Sequence, residues 1–149
     1  FCDIKDVNLK LEKTIISFQK KINKKVILTS FNNDHEYYKN LSFKRFYFED
    51  LDYTKIKNLE VLIIENKKIN YFQNLIENSM INISCHSGLF VHISLALDKR
   101  TIDIINEADE KWLNAWIDNK KSYERIIKSN NSQLFSVNEI FLNVYEKIK

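Results

Sequence analysis

The chain has no proline and one glycine, Gly88, among its 149 residues. The usual punctuation of turns is therefore missing, and clusters of Asn, Asp, Ser and Lys have to mark where elements stop. Cysteine is nearly absent too: Cys2 and Cys85 make neither a disulfide framework nor a metal cluster, which suits a reducing cytoplasm. No run approaches the roughly 18 apolar residues that a bilayer-spanning helix needs, and no charged-then-apolar leader opens the chain. A soluble, cytoplasmic protein without a transmembrane segment is expected. Nor is one charge in large excess. The net charge is +3, with fourteen basic and eleven acidic residues up to Ser87 and nine of each after it. Lys10, Lys13, Lys20, Lys21, Lys24 and Lys25 are spread around a helix and mixed with Glu12, which describes a solvated face and not the one-sided surface of a nucleic-acid binder. A Ser-His-Asp order, HExxH, paired CxxC, a Walker lysine turn and Asp-x-Asp are all missing, so hydrolase, zinc and P-loop chemistry have no support and no metal or cofactor is implied.

What is present is apolar and aromatic. With 44% hydrophobic and 29% charged residues, and ten Phe, seven Tyr and two Trp, the chain can close one core, and residues 1–149 are read as a single domain. Leu11, Ile15, Phe18 and Ile22 recur at steps of four, three and four and predict a first helix over about Asn8–Asn23. Lys25–Ser30 is a β-branched run that reads as a buried strand, followed by a short helix around Asp34–Asn40. Further strands are predicted at Phe43–Phe48, Glu60–Ile64, Met80–Ser84 and Thr101–Ile105, with a short one at Leu134–Ser136. Helices are predicted around Ile69–Ile76, Gly88–Leu97, Asp109–Asp118 and Val137–Ile148, with Arg125 on a further polar helix. Strands alternating with helices predict an α/β fold: a Rossmann-like parallel sheet of about five to six strands with helices on both faces. Ligands in such folds sit beyond the carboxyl ends of the strands.

One of those strand ends carries chemistry. In Ile83-Ser84-Cys85-His86-Ser87-Gly88-Leu89-Phe90-Val91-His92, a strand turns into a helix at the only glycine. Gly88 permits close approach of a ligand to the backbone, Ser87 supplies a hydroxyl, and free amides at the positive end of the helix dipole suit a phosphate. The alternative is a glycine needed only for φ freedom or tight helix-to-sheet packing. His92, four residues on, lies on the same side of the helix as Gly88. As a bare observation it is a hydrogen-bonded core histidine.

The Ser-Gly turn, the spaced histidine and the helix ending in Ala96-Leu97-Asp98-Lys99, followed by Thr101-Ile102-Asp103-Ile104-Ile105, resemble glycosyltransferase family 9, which includes the lipopolysaccharide heptosyltransferases. The resemblance covers about Glu60–Ile105. His86 stands where that family has an acidic residue, and three residues instead of two separate Gly88 from His92. The resemblance implies a GT-B protein whose carboxyl-terminal, donor-binding half is this chain. A nucleotide diphosphate-sugar would be the donor, and a surface-glycan acceptor would be held by a separate amino-terminal domain. It also implies that Ser87 and Gly88 contact the diphosphate and that His92 supports their loop, with His86 and His92 available to neutralise the departing diphosphate.

Other residues are less telling. Glu65, at the end of the third strand, can receive ribose hydroxyls or be a solvated loop carboxylate. Asp103, within a strand, reads as a structural hydrogen-bond partner, and Glu107 and Asp109 as charges complementing a helix start. Trp112 and Trp116, four apart, read most simply as core, with lining of the cleft as the alternative for Trp112. Two further classes compete with the transferase: a non-catalytic Rossmann-like nucleotide-binding module, and a helix-mediated interaction protein that would expose the Trp112 and Trp116 face.

Overall fold

The computed structural model describes residues 4–30, 41–65, 68–84, 88–114, 117, 121–128 and 137–149. The elements are α1 (Ile4–Ile22), β1 (Val26–Ser30), β2 (Arg45–Tyr47), a 3-10 turn (Phe48–Asp50), α2 (Tyr53–Ile56), β3 (Val61–Glu65) and α3 (Ile69–Glu77). They continue with β4 (Asn82–Ser84), α4 (Gly88–Ala96), β5 (Thr101–Asn106), α5 (Glu107–Asn114), β6 (Tyr123–Lys128) and α6 (Val137–Ile148). The expected helix at 34–40 and strand at 134–136 lie outside the described residues. The chain divides into two units, residues 1–72 with 149, and residues 73–148.

The α/β class with parallel pairing is what the structure has, but the expected single sheet of five to six strands is not. The six strands among the described residues form two three-stranded parallel sheets, ordered β1-β3-β2 and β4-β5-β6. Alternation along the sequence dictates parallel pairing through crossovers. It carries no information on which edges meet, because strand order depends on contacts between distant residues. A second correction concerns Arg125, which lies on a strand, β6, and not on a polar helix.

Each sheet is organised by its middle strand. Leu62, Ile63 and Ile64 of β3 are buried, as are all five residues from Thr101 to Ile105 in β5. A strand flanked on both sides and covered on both faces needs apolar side chains at nearly every position, so Val61–Ile64 and Ile102–Ile105 read as runs instead of alternating. Edge strands are more open: Ile27 of β1, Tyr47 of β2 and Ile127 of β6 are all exposed.

In the second unit the faces can be assigned. Tyr123 packs with Ile105, Val91, Leu95 and Ile117, so the face of Thr101, Asp103, Ile105 and Tyr123 lies against α4. Consecutive right-handed crossovers in one lateral direction put α4 and α5 on that same face. Glu124, which points the other way along β6, accepts from Arg100 Nη2 at 2.9 Å and pairs with Lys147 Nζ of α6 at 3.3 Å. Thus α6 covers the opposite face. Burial opposes ionisation of Glu124, but Arg100 and Lys147 outweigh it and hold its carboxyl below the ordinary value.

Helix ends show how a chain with one glycine turns. Asn23 follows α1 at φ 50°, and its N–H donates to Gln19 O at 2.9 Å. Asp98 follows α4 at φ 50°, with Asp98 N to Leu95 O at 3.2 Å and Lys99 N to Ser94 O at 2.9 Å, a Schellman motif. Asn and Asp tolerate the left-handed region better than other residues with a Cβ. Asp52 caps α2 by accepting from Thr54 N at 2.9 Å, and the Thr54 hydrogen bonds lower its pKa. In α1, Ile15 and Phe18 are buried, and Glu12 accepts from Ser42 N at 3.2 Å, tying the helix to the segment before β2.

The middle-strand arrangement makes a stability prediction. Chemical denaturation of Ile63→Ala is expected to show a loss of about 2–5 kcal/mol, against less than about 0.5 kcal/mol for Ile69→Ala on the exposed start of α3. Equal losses at both positions would contradict the assignment of β3 as the core.

Candidate functional site

β4 ends at Ser84 and α4 begins at Gly88; His86 and Ser87, together with Cys85, lie outside the described residues. Gly88 does not have a positive φ, and a Cβ built on it meets no heavy atom of the described residues within 4 Å, its chain neighbours and its own helix backbone aside. Among the described residues neither ordinary structural reason for a glycine is found at this position: its backbone is not left-handed, and no described side chain packs where a Cβ would stand. It stands exposed at the start of a nine-residue helix, with no side chain of its own over the backbone.

The helix itself is two-sided. Phe90, Val91, Ser94 and Leu95 are buried, while Gly88, Leu89, His92 and Ala96 are exposed. Gly88, His92 and Ala96 follow one another at steps of four along the open side. His92 is thus not a core histidine; its imidazole stands on the solvent side, one turn from the helix start. The neighbouring helix start differs in charge. The first turn of α5 holds Glu107, Asp109 and Glu110, which offset its own dipole, whereas the first turn of α4 holds no acidic residue. Asn106 Nδ2 also donates to Asp109 Oδ2 at 3.3 Å, so the α5 start is occupied by its own side chains. An incoming anion is repelled at α5 and meets no carboxylate in the first turn of α4.

Glu65 belongs to the other unit, and of the expected site residues that are described, Gly88 and His92 share one element. The Glu65 carboxylate is not simply solvated: Arg45 Nε of β2 stands 3.2 Å from its Oε1, with both side chains partly buried. Trp112 departs from its expected place in the core and is 58% exposed. Trp116 lies outside the described residues.

The residues that sequence reasoning missed lie on β6, and they meet Asp103 of β5, which has the structural hydrogen-bond role expected of it. Asp103 is buried, and Tyr123 Oη donates to its Oδ2 at 2.9 Å. Arg125 Nε donates to the same Tyr123 oxygen at 3.2 Å, the guanidinium lies 5.1 Å from the Tyr123 ring centre, and Nη1 donates to Asn114 Oδ1. The parallel register explains the cluster, since Ser84, Asp103 and Arg125 form one row across the sheet and Asn82, Thr101 and Tyr123 the next. Both rows face α4. The signal for β6 was available in Tyr123, Ile126 and Ile127, all strand formers. Two buried atoms under this layer, Asn82 Nδ2 and Ser94 Oγ, have no hydrogen-bond partner among the described residues.

Among the described residues no group of three or more His, Cys, Asp and Glu is placed to hold a metal ion, and no helix is long and apolar enough to cross a membrane. No protein-family model, curated protein or solved structure matches the chain.

The Asp103–Tyr123 contact predicts a pH dependence. Burial, reinforced by the Asp103 carboxylate, pushes the Tyr123 phenol up to about 12, against the opposing pull of Arg125. A raised folded-state value means that the stabilisation is complete below the unfolded phenol value of about 10 and is lost as pH climbs from there through about 12. Unfolding measured between those limits is expected to show a steeper loss of stability in the native chain than in Tyr123→Phe. Parallel curves for the two proteins would show that Tyr123 does not titrate as the contact requires.

Proposed function

We propose that the chain binds the diphosphate of a nucleotide-sugar at the start of α4 and serves as the Rossmann-like donor half of a GT-B glycosyltransferase. The observation that carries this is Gly88, a lone glycine for which the described residues show no backbone or packing need, at a helix start whose first turn carries no acid. In such a transfer the acceptor hydroxyl forms a bond to the anomeric carbon as the bond from that carbon to the diphosphate oxygen breaks. A base supplied by the acceptor-binding domain takes the hydroxyl proton. Negative charge grows on the departing diphosphate, and backbone amides at the α4 start, the Ser87 hydroxyl and the imidazoles of His86 and His92 are the donors that would meet it. A surface glycan is the acceptor in this proposal, and a cytoplasmic location goes with it.

His92 is the one titratable side chain on α4, which favours a binding role for this chain over acid–base chemistry of its own. A non-catalytic nucleotide-binding module shares that feature. It is distinguished from the transferase by the absence of sugar transfer when the chain is joined to an acceptor-binding domain.

Calorimetric titration with uridine, guanosine, cytidine and adenosine diphosphates tests the proposal, with Gly88→Ala as the deciding variant. A methyl group at a helix position with open space is expected to leave stability unchanged or raise it by up to about 1 kcal/mol. The same methyl group obstructs a phosphate at the backbone and is expected to weaken binding by about tenfold or more, or about 1.4 kcal/mol. Ser87→Ala and His92→Ala are expected to weaken it without unfolding the chain. If no diphosphate binds, or if Gly88→Ala binds as tightly as the native chain, the α4 start is not the site.

A further inference from the structure

The two faces of the β4-β5-β6 sheet are covered unequally. On one face α4 sends Phe90, Val91, Ser94 and Leu95 into the interior, and Val91 and Leu95 join the cluster of Ile105 and Ile117. On the other lies α6, which packs on β6. Among its described side chains only Val144 is fully buried; Ile140, Phe141, Tyr145 and Ile148 are half-buried and Leu142 is exposed. A twelve-residue helix with one fully buried side chain draws less on the hydrophobic effect than a nine-residue helix with four.

The last turn of α6 is tied to the sheet by charge instead. Glu124 of β6 holds two cations at once: Arg100 donates to its Oε1 from Nη2 at 2.9 Å and from Nε at 3.3 Å, and Lys147 Nζ donates to its Oε2 at 3.3 Å. Arg100 Nη2 also donates to the Lys147 carbonyl, one of the acceptors that a helix leaves unsatisfied at its carboxyl end. The Arg100 backbone is itself fixed to the sheet, since its carbonyl accepts from Asn82 N at 2.9 Å. All three side chains stay partly open to water, where a single ion pair contributes little. The arrangement matters as a unit. One carboxylate neutralises both cations and aims the Arg100 fork at the helix end; without it, Arg100 and Lys147 meet as like charges and the cap loses its orientation.

We propose that α6 is a strap that lifts from the sheet on its own, ahead of global unfolding, and that Glu124 is the group that keeps it closed. Elements with few buried apolar side chains open at lower free energy than the core they cover, and α6 is such an element on the second sheet. Alternate residues of β6 face opposite ways, so lifting α6 bares the side of β6 that carries the buried Ile126 and leaves the α4 face covered. The strap is independent of the nucleotide proposal, which concerns that other face.

The test is amide hydrogen exchange of the full chain at several urea concentrations below the unfolding transition. In the native chain the amides of 141–147 are expected to exchange at least about tenfold faster than those of 102–105 and to depend more weakly on urea, because lifting one helix exposes less surface than global unfolding. Glu124→Gln is expected to speed 141–147 about tenfold further while keeping that weak dependence. Lys147→Met, which leaves Arg100 paired with Glu124, should speed it about threefold at most. The native chain in about 1 M salt, where charges are screened beyond about 3 Å, should show faster exchange in 141–147 as well, which keeps the test decisive if Glu124→Gln fails to fold. The proposal is overturned if 141–147 and 102–105 share one rate and one urea dependence, if neither Glu124→Gln nor salt speeds 141–147, or if Lys147→Met has as large an effect as Glu124→Gln.

Discussion

Burial of two middle strands is the constraint on which everything else in this chain depends. β3 and β5 each hydrogen-bond to a parallel neighbour on both sides and are covered on both faces, with Leu62, Ile63, Ile102 and Ile105 almost wholly removed from water. Because parallel strands all run one way, each sheet gathers the ends of its three strands at one rim. The polar groups with chemical potential can stand only there or in a hydrogen-bonded layer inside. Asp103 takes the second option. A carboxylate in the middle of a buried strand is costly unless donors reach it, and the Tyr123 hydroxyl from β6 is such a donor. Arg125 then supports the tyrosine from its outer side.

The rims differ in ways that matter for function. Helix starts at the second rim are not equivalent: α5 is charge-compensated by its own acids, while α4 opens on an exposed glycine with an exposed histidine one turn on. The first rim has no glycine turn among the described residues but carries the Arg45–Glu65 pair, the Phe48–Tyr71 stack and Lys68. The α4 start, with no acid in its first turn, suits an anion held by backbone. The exposed side of α4 does not follow from the need to bury a core, and the diphosphate site is proposed on that ground.

Much of the local structure was legible because local physics determines it. The 3–4 spacing of Ile15 and Phe18 located α1, and the β-branched runs located β1, β3 and β5. Asn23 and Asp98 illustrate the expectation that polar residues would replace glycine at turns. Strand order was not legible, since no local pattern distinguishes a β4 that extends the first sheet from one that starts a second. β6 was missed because Glu124 and Arg125 interrupt its apolar alternation; both are explained by partners far away in sequence, Lys147 for the one and Asn114 for the other. The same blindness to distant partners made Glu65 look solvated, its partner Arg45 lying on another strand. His92 needed the burial pattern of the whole helix before its side could be assigned. Ser87 and His86 retain only what the sequence says of them.

Hydrogen exchange of the intact chain, followed by mass spectrometry with and without a nucleoside diphosphate, tests the central claim most directly: two buried strands support the sheets, and the helix start at Gly88 receives an anion. The slowest amides are predicted in 62–64 and 102–105 whether or not the diphosphate is present, with ligand-dependent slowing concentrated in 88–92. Slowest exchange in the edge strands, or protection by the diphosphate that bypasses 88–92, would contradict it.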